Sequence, residues 1–286
     1  MHGDPLERAA HLRTDPAFLD AARRDPKTKL VPVWRGRCLV SGRPAKAIIP
    51  TVGEAGALLE GAEVVFLGLD GDTAVLLVDL PGDAPAPQLG DARFLDLFVV
   101  GAQLSQDEIG LLAYARGMAL FHRSARFDPK TGHATQTVDA GFARQAPGGE
   151  KLFPRTDPAV MILVTHEERC LIARGPQFPP GMYSALAGFV EPGETLEECV
   201  LRETLEETSL LVREPRYVGS QPWPFPRSLM IGFEAEVEDP STLKLDPEEL
   251  EDAMWVTRDE LRDPKGMFVP PPFSLAYHLL KAWTDR

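Results

Sequence analysis

Residues 188–207 read Gly188-Phe189-Val190-Glu191-Pro192-Gly193-Glu194-Thr195-Leu196-Glu197-Glu198-Cys199-Val200-Leu201-Arg202-Glu203-Thr204-Leu205-Glu206-Glu207. Thr195 followed three residues later by Glu198 is a capping box, so a helix is expected from about Leu196, where the Pro192-Gly193 turn ends. On that helix Glu203, Glu206 and Glu207 fall within an arc of roughly 100°, and Leu201 and Leu205 point to the opposite, packing side. Like charges three and four residues apart each cost a few tenths of a kcal/mol unless a cation offsets them. Magnesium suits that position, because it takes oxygen ligands and shares its shell with substrate phosphates. A lone acidic helix would read as a solvated face. The glycine-rich turn in front of this one favours a site for a metal-bound diphosphate.

The spacing of Gly188, Glu194, Arg202-Glu203 and Glu206-Glu207 resembles the signature of the Nudix hydrolases. Two positions depart from it. Thr204 stands where the family has an aliphatic residue, and its hydroxyl needs a carbonyl one turn back. Ser209 stands where a glycine ends the helix in the left-handed conformation, which strains any residue carrying a Cβ.

Downstream, Ser220-Gln221-Pro222-Trp223-Pro224-Phe225-Pro226-Arg227-Ser228 alternates three prolines with two aromatics, which predicts a stiff, extended segment. Alone it reads equally as an edge strand or a docking segment. After the first motif it resembles the motif of the NADH pyrophosphatase subfamily, which includes hydrolases of NAD-capped RNA. The resemblance implies catalytic roles for Glu194, Arg202, Glu203, Glu206 and Glu207, and metal ligation by Glu203, Glu206, Glu207, Glu249 and the Ala187 carbonyl. It implies a substrate site formed by Phe189, which stacks on nicotinamide, with Gln221, Pro222, Trp223, Pro224, Phe225, Pro226, Arg227, Ser228, Ala276 and Phe153. The implied cofactor is Mg2+, with Mn2+ as a substitute, and the implied assembly is a homodimer.

The subfamily commonly carries a four-cysteine zinc ribbon, and here the resemblance breaks. The corresponding text is Phe127-Asp128-Pro129-Lys130-Thr131-Gly132, and residues 145–150 also lack cysteine. Cys38, Cys170 and Cys199 have no ligand spacing, and Asp128 with His133 does not make four ligands, so no structural zinc is expected. His122, His133, His166 and His278 have no partner nearby in sequence and read as structural.

The expected fold is an α/β class Nudix α/β/α sandwich with a mixed sheet, preceded by a smaller β-rich N-terminal domain. The expected divisions are residues 1–125, a cysteine-less ribbon-like link over 126–156, and the hydrolase domain over 157–286. Strands are read at Glu63–Gly68 and Thr73–Asp79 around the turn Leu69–Asp72. Helices are read at Asp107–His122 and Ser274–Trp283. No internal repeat is visible, and the first half carries no catalytic constellation.

At 286 residues the chain can form two cores, and a net charge of −13 argues against broad nucleic-acid binding. The polar N-terminus, the lack of an 18-residue apolar run and three cysteines point to a cytoplasmic protein with no membrane partner. The activity implied is hydrolysis of the NADH or NAD diphosphate to AMP and nicotinamide mononucleotide, extending to NAD-capped RNA 5′ ends. Hydrolysis of another nucleoside diphosphate such as ADP-ribose, and a non-catalytic nucleotide-sensing module, stay open.

Overall fold

In the computed structural model, which describes residues 6–286, the chain forms two units. The first extends to Arg155 and takes in Pro224–Arg227; the second comprises Thr156–Trp223 and Ser228–Arg286.

The first unit is built on strands β1 (Lys29–Trp34), β2 (Arg37–Ser41), β3 (Lys46–Ala47), β4 (Glu63–Asp70), β5 (Thr73–Leu80) and β6 (Arg93–Leu95). Their order is β3-β2-β1-β5-β4, with β6 on β2 and β1 parallel to β5. β4 and β5 are almost wholly apolar because both faces of the sheet are covered. Val65, Leu67, Val75 and Leu77 meet one core, while Val64, Phe66, Leu76 and Val78 meet the other. Short helices α1 (Pro16–Ala22), α2 (Val52–Ala55) and α3 (Leu97–Val100) precede the long α4 (Gln106–Ser124), whose Leu112, Ala115 and Ala119 join the first of those cores.

After α4 the cysteine-less segment forms a three-stranded sheet, β7 (Gln136–Val138), β8 (Ala143–Gln145) and β9 (Lys151–Leu152). Where the ribbon's first cysteine would stand, Asp128 is buried and its Oδ1 accepts the backbone N–H groups of Lys130 (2.8 Å) and Thr131 (3.0 Å). Those bonds hold its carboxyl below the ordinary carboxylate range. Arg144, equally buried, donates to Thr135, Thr137 and Glu63, so side-chain hydrogen bonds brace this sheet.

The second unit centres on β10 (Asp157–His166), which runs antiparallel to β11 (Arg169–Arg174) and β12 (Leu186–Phe189). The helix α5 (Leu196–Thr208) follows, then β13 (Val212–Trp223), β14 (Ser228–Val237), β15 (Asp252–Thr257), α6 (Arg258–Arg262) and α7 (Leu275–Thr284). The order β13-β14-β10-β11-β15, with β10 parallel to β14, makes a mixed sheet. Val160, Ile162 and Val164 face α5 through Cys199 and Val200; Leu163 and Ala159 face α7 through Leu280 and Leu279. This is the α/β/α sandwich expected from sequence.

α5 starts as its capping box requires, with Thr195 Oγ1 accepting from Glu198 N (3.2 Å) and Glu198 accepting from Thr195 N (2.8 Å). Its orientation corrects the helical-wheel reading. Leu201 and Leu205 are exposed, 40% and 45%, and the buried stripe is Cys199, Val200, Thr204, Glu207 and Thr208. Threonine can occupy that stripe because Thr204 donates to Val200 O (2.7 Å) and Thr208 to Thr204 O (2.5 Å), so neither hydroxyl is buried unpaired. Ser209 ends the helix at φ 59°, ψ 11°. Ser209→Gly is therefore expected to raise stability by about 1 kcal/mol, read as a higher urea midpoint at unchanged m-value.

The proline-rich motif is extended only as far as Trp223. Pro224–Arg227 then turns, and the chain returns as β14, so the expectation of one straight segment is corrected to a hairpin end. The alternation of proline and aromatic residues fixes local backbone angles, but it does not encode the reversal.

Candidate active site

β12 delivers its backbone to the signature helix. Gly188 pairs with Val160 of β10, and a Cβ built on it would stand 1.9 Å from Glu203 Cδ and 2.0 Å from Glu203 Oε1. The first glycine of the motif is thus the residue whose missing side chain lets the Glu203 carboxylate lie against the strand. Ala187 and Phe189, on either side, are exposed, Phe189 at 60%.

Arg202 organises the acidic groups. Its Nε and Nη2 donate to the two oxygens of Glu194 (2.8 and 2.9 Å), its Nη1 meets Glu203 Oε1 (2.9 Å) and Glu206 Oε2 (3.0 Å), and Nη2 also donates to the Phe189 carbonyl (3.0 Å). Those hydrogen bonds hold the Glu194 carboxyl down to about 2, and the same partners raise the guanidinium above its ordinary value. Glu194 also accepts from Glu191 N (3.0 Å), which ties the turn to the helix.

Glu207 is the exception. It is 8% exposed, and among the described residues its buried Oε2 has no hydrogen-bond partner and no arginine pairs with it. Burial, then the charges of Glu203, Glu249, Asp246 and Glu206, push its carboxyl up to about 8. Burial also raises Glu203. Glu249 arrives on a turn capped by Asp246, whose Oδ1 accepts from Glu248 N (2.9 Å), and that turn is hung from the end of α5 by Asp246 N donating to Glu207 O (2.9 Å). Asp246 was not among the residues singled out from sequence; the Asp-Pro pair announces the turn but not its docking on the helix.

Gln221 donates to Phe273 O (2.5 Å) and leaves Oε1 buried without a partner, while Trp223 stacks on Phe273 with centroids 6.0 Å apart. Pro222 is exposed, Ser228 is buried, and Ala276 is buried on α7. Pro224, Phe225, Pro226, Arg227 and Phe153 belong to the first unit. There Phe225 packs edge-on to Phe98 (5.5 Å) beneath the Arg116 guanidinium, and Phe153 is 65% exposed.

Residues 155–276 match the model of the NUDIX domain, and residues 27–119 match that of the NADH pyrophosphatase-like rudimentary NUDIX domain. The NAD-capped RNA hydrolase NudC of Chromobacterium violaceum is 40% identical over 83% of this chain and 86% of its own length. The chain is a Nudix hydrolase. The enzyme of the same name from Mycobacterium bovis is 35% identical over 97% of this chain and 92% of its own. The NAD-capped RNA hydrolase NUDT12 of Macaca fascicularis is 40% identical over 63% of this chain, and the match spans only 43% of that protein.

Membership also corrects the reading that the chain holds no internal repeat. Both units place a hairpin strand beside a parallel partner that itself closes a second hairpin: β2-β1-β5-β4 in the first and β11-β10-β14-β13 in the second. Where the second unit has α5, the first has the four-residue α2 followed by a 3-10 turn over Gly56–Leu59, so it retains the sheet and lacks the acidic helix. Nudix hydrolases use divalent metal ions, and the donors present fit one: hard carboxylate oxygens, one of them buried, unpartnered and surrounded by like charge. Among the described residues no three such side chains converge on an ion as they stand, because Arg202 draws Glu203 and Glu206 to itself. No helix among the described residues is long and apolar enough to cross a membrane.

Proposed function

We propose that this Nudix hydrolase cleaves the diphosphate of NADH and NAD to AMP and nicotinamide mononucleotide, and removes the same group from NAD-capped RNA 5′ ends. The observation that carries this is Glu207, a buried acceptor without a partner, held among Glu203, Glu206 and Glu249 at the end of a glycine-bearing strand. The relatives named for NAD-capped RNA and the complete Ser220–Ser228 motif support the choice of dinucleotide.

Glu203, Glu206, Glu207, Glu249 and the Ala187 carbonyl would hold Mg2+, or Mn2+ in its place. The bound ion supplies charge neutralisation at the diphosphate and an acidified water. Glu194 fixes Arg202, and Arg202 in turn orients Glu203 and Glu206, so the pair positions ligands without touching substrate. Phe189, 60% exposed next to Gly188, would offer its ring face to the nicotinamide. Gln221 and Trp223, fixed against Phe273, would contact the substrate; Ser228, Ala276, Phe153, Pro222, Pro224, Phe225, Pro226 and Arg227 are assigned to it by family resemblance. The reading includes a cytoplasmic homodimer, in keeping with three free buried thiols, and light scattering should return twice the 31.4 kDa chain mass.

Product analysis with NADH, NAD and ADP-ribose, with and without Mg2+, tests the assignment. AMP and reduced nicotinamide mononucleotide should form fastest from NADH and only with metal. Fastest turnover of ADP-ribose would move the substrate, and binding of all three without cleavage would make the chain a sensor. Phe189→Ala should raise KM for NADH by about tenfold with little change in melting temperature, because a ring this exposed contributes little packing. An unchanged KM would remove Phe189 from the substrate site.

A further inference from the structure

The first unit carries a hollow of about 800 Å³ where the β1–β2 turn, the start of β4, the end of β5 and the end of α4 come together. Arg35, Arg123 and Arg126 line it together with Glu63, Asp79 and Asp83. A second hollow of about 380 Å³ shares Glu63, Asp79, Arg123 and Arg126 with it and is also lined by His122, Phe127 and Arg144.

The apparent balance of charge disappears once the pairing is counted. Asp79, 8% exposed, is taken by Arg123, with Nε donating to Oδ2 (3.0 Å) and Nη2 to Oδ1. Glu63 accepts from Arg144 Nη1 (3.0 Å) and from the Thr137 hydroxyl (2.7 Å). His122 adds no charge: its Nε2 lies 2.8 Å from the Gly141 carbonyl and must donate, its Nδ1 then accepts from Arg144 (3.0 Å), and burial lowers its proton affinity. Of the three carboxylates, Asp79 and Glu63 are therefore occupied and Asp83 is left exposed against Arg35 and Arg126, an excess of one positive charge. Arg35 donates its Nε to Gly82 O (2.7 Å) and lays its guanidinium over the Trp34 ring (4.6 Å to the centroid), and among the described residues its outer nitrogens take no hydrogen-bond acceptor; Arg126 is exposed and lines both hollows. Arg35 adopts φ 51° at the β1–β2 turn, a conformation that favours glycine or asparagine, so the turn carries an arginine at a cost in backbone energy. Phe127, 63% exposed, adds an apolar ring to the lining of the second hollow.

We propose that this cavity binds a nucleoside monophosphate, with its phosphate on Arg35 and Arg126 and its base against Phe127. Two guanidinium forks match the oxygens of a phosphate, an exposed ring offers a stacking face, and the volume suits one nucleotide rather than a chain. All of these residues belong to the first unit, Arg35 within the stretch that matches the rudimentary NUDIX domain and Arg126 and Phe127 beyond it, whereas Glu203 and Glu207 belong to the second unit.

Calorimetric titration of the full chain with AMP, and separately with inorganic phosphate, in EDTA tests this. Binding of AMP should persist in Glu207→Gln. It should weaken by about tenfold or more in Arg35→Gly/Arg126→Ser, as should binding of phosphate, because charge-assisted hydrogen bonds are lost while glycine keeps the turn. Phe127→Ser should weaken AMP and leave phosphate unchanged. NADH turnover of the arginine variant at saturating substrate should stay within about twofold of the parent, since none of these side chains belongs to the proposed catalytic unit. Equal AMP affinity in the arginine variant and the parent overturns the site. Absence of AMP binding overturns it too, and if a 5′-phosphorylated RNA then binds through the same arginines, the surface is an RNA contact instead.

Discussion

Glu207→Gln should lower NADH turnover by roughly 100- to 10,000-fold and, in metal-free protein, raise stability. Both follow from one fact: Glu207 is buried, lacks a hydrogen-bond partner at Oε2, and sits among other carboxylates. Its folded pKa, about 8, lies above the ordinary 4.5, so between those values the native state binds more protons than the unfolded one. Stability must then fall as pH rises through that window and level off above it. Glutamine has no such slope, so the variant's advantage in EDTA should grow from pH 5 to pH 8 and reach on the order of 2–4 kcal/mol. With divalent ion present the order should invert, because only the parent gains stability from binding. Melting curves across pH in EDTA and in Mg2+, beside steady-state rates, check the whole pattern. A pH-independent difference in EDTA would mean that Glu207 does not carry the strain, and near-parental turnover would remove it from the site.

The legibility of this chain divides along the line between local and non-local physics. The start of α5, the left-handed Ser209 and the back-bonded Thr204 are set by neighbours within one turn, and the sequence pattern contains those neighbours. The face that α5 buries is not local. A helical wheel places Leu201 and Leu205 opposite the glutamates, yet the sheet is met by the narrower stripe through Val200, Thr204 and Thr208. The close approach needed to set Glu203 against Gly188 favours small and β-branched residues there, and leaves the two leucines outside. The first unit was opaque for a related reason. Its kinship with the second lies in strand order, in particular the parallel pairing of β1 with β5 across about 40 residues, and strand order leaves no periodic trace when the diagnostic helix has shrunk to Val52–Ala55. Asp246 shows the same limit inside the active site, since its influence on Glu207 depends on where a distant turn docks.

Gly188→Ala is expected to cost roughly 100-fold in turnover while moving the melting temperature little. The new methyl would overlap Glu203 Cδ and Oε1, and two atoms cannot share that space. What it meets, however, is the end of a flexible side chain, so Glu203 can rotate away without disturbing the β12–β10 ladder. Glycine at this position is not needed for a left-handed backbone, since only Gly193 in the motif has positive φ. The cost therefore falls on the placement of one carboxylate, and through Nη1 of Arg202 on the set that includes Glu206. If the signature glycine serves close approach, Gly188→Ala and Glu203→Gln should show similar rate losses, and combining them should cost little more than either alone. Multiplying losses in the double variant would mean that the glycine acts on something other than Glu203. A collapse in melting temperature for Gly188→Ala would place the strain in the strand instead of in the side chain that rests on it.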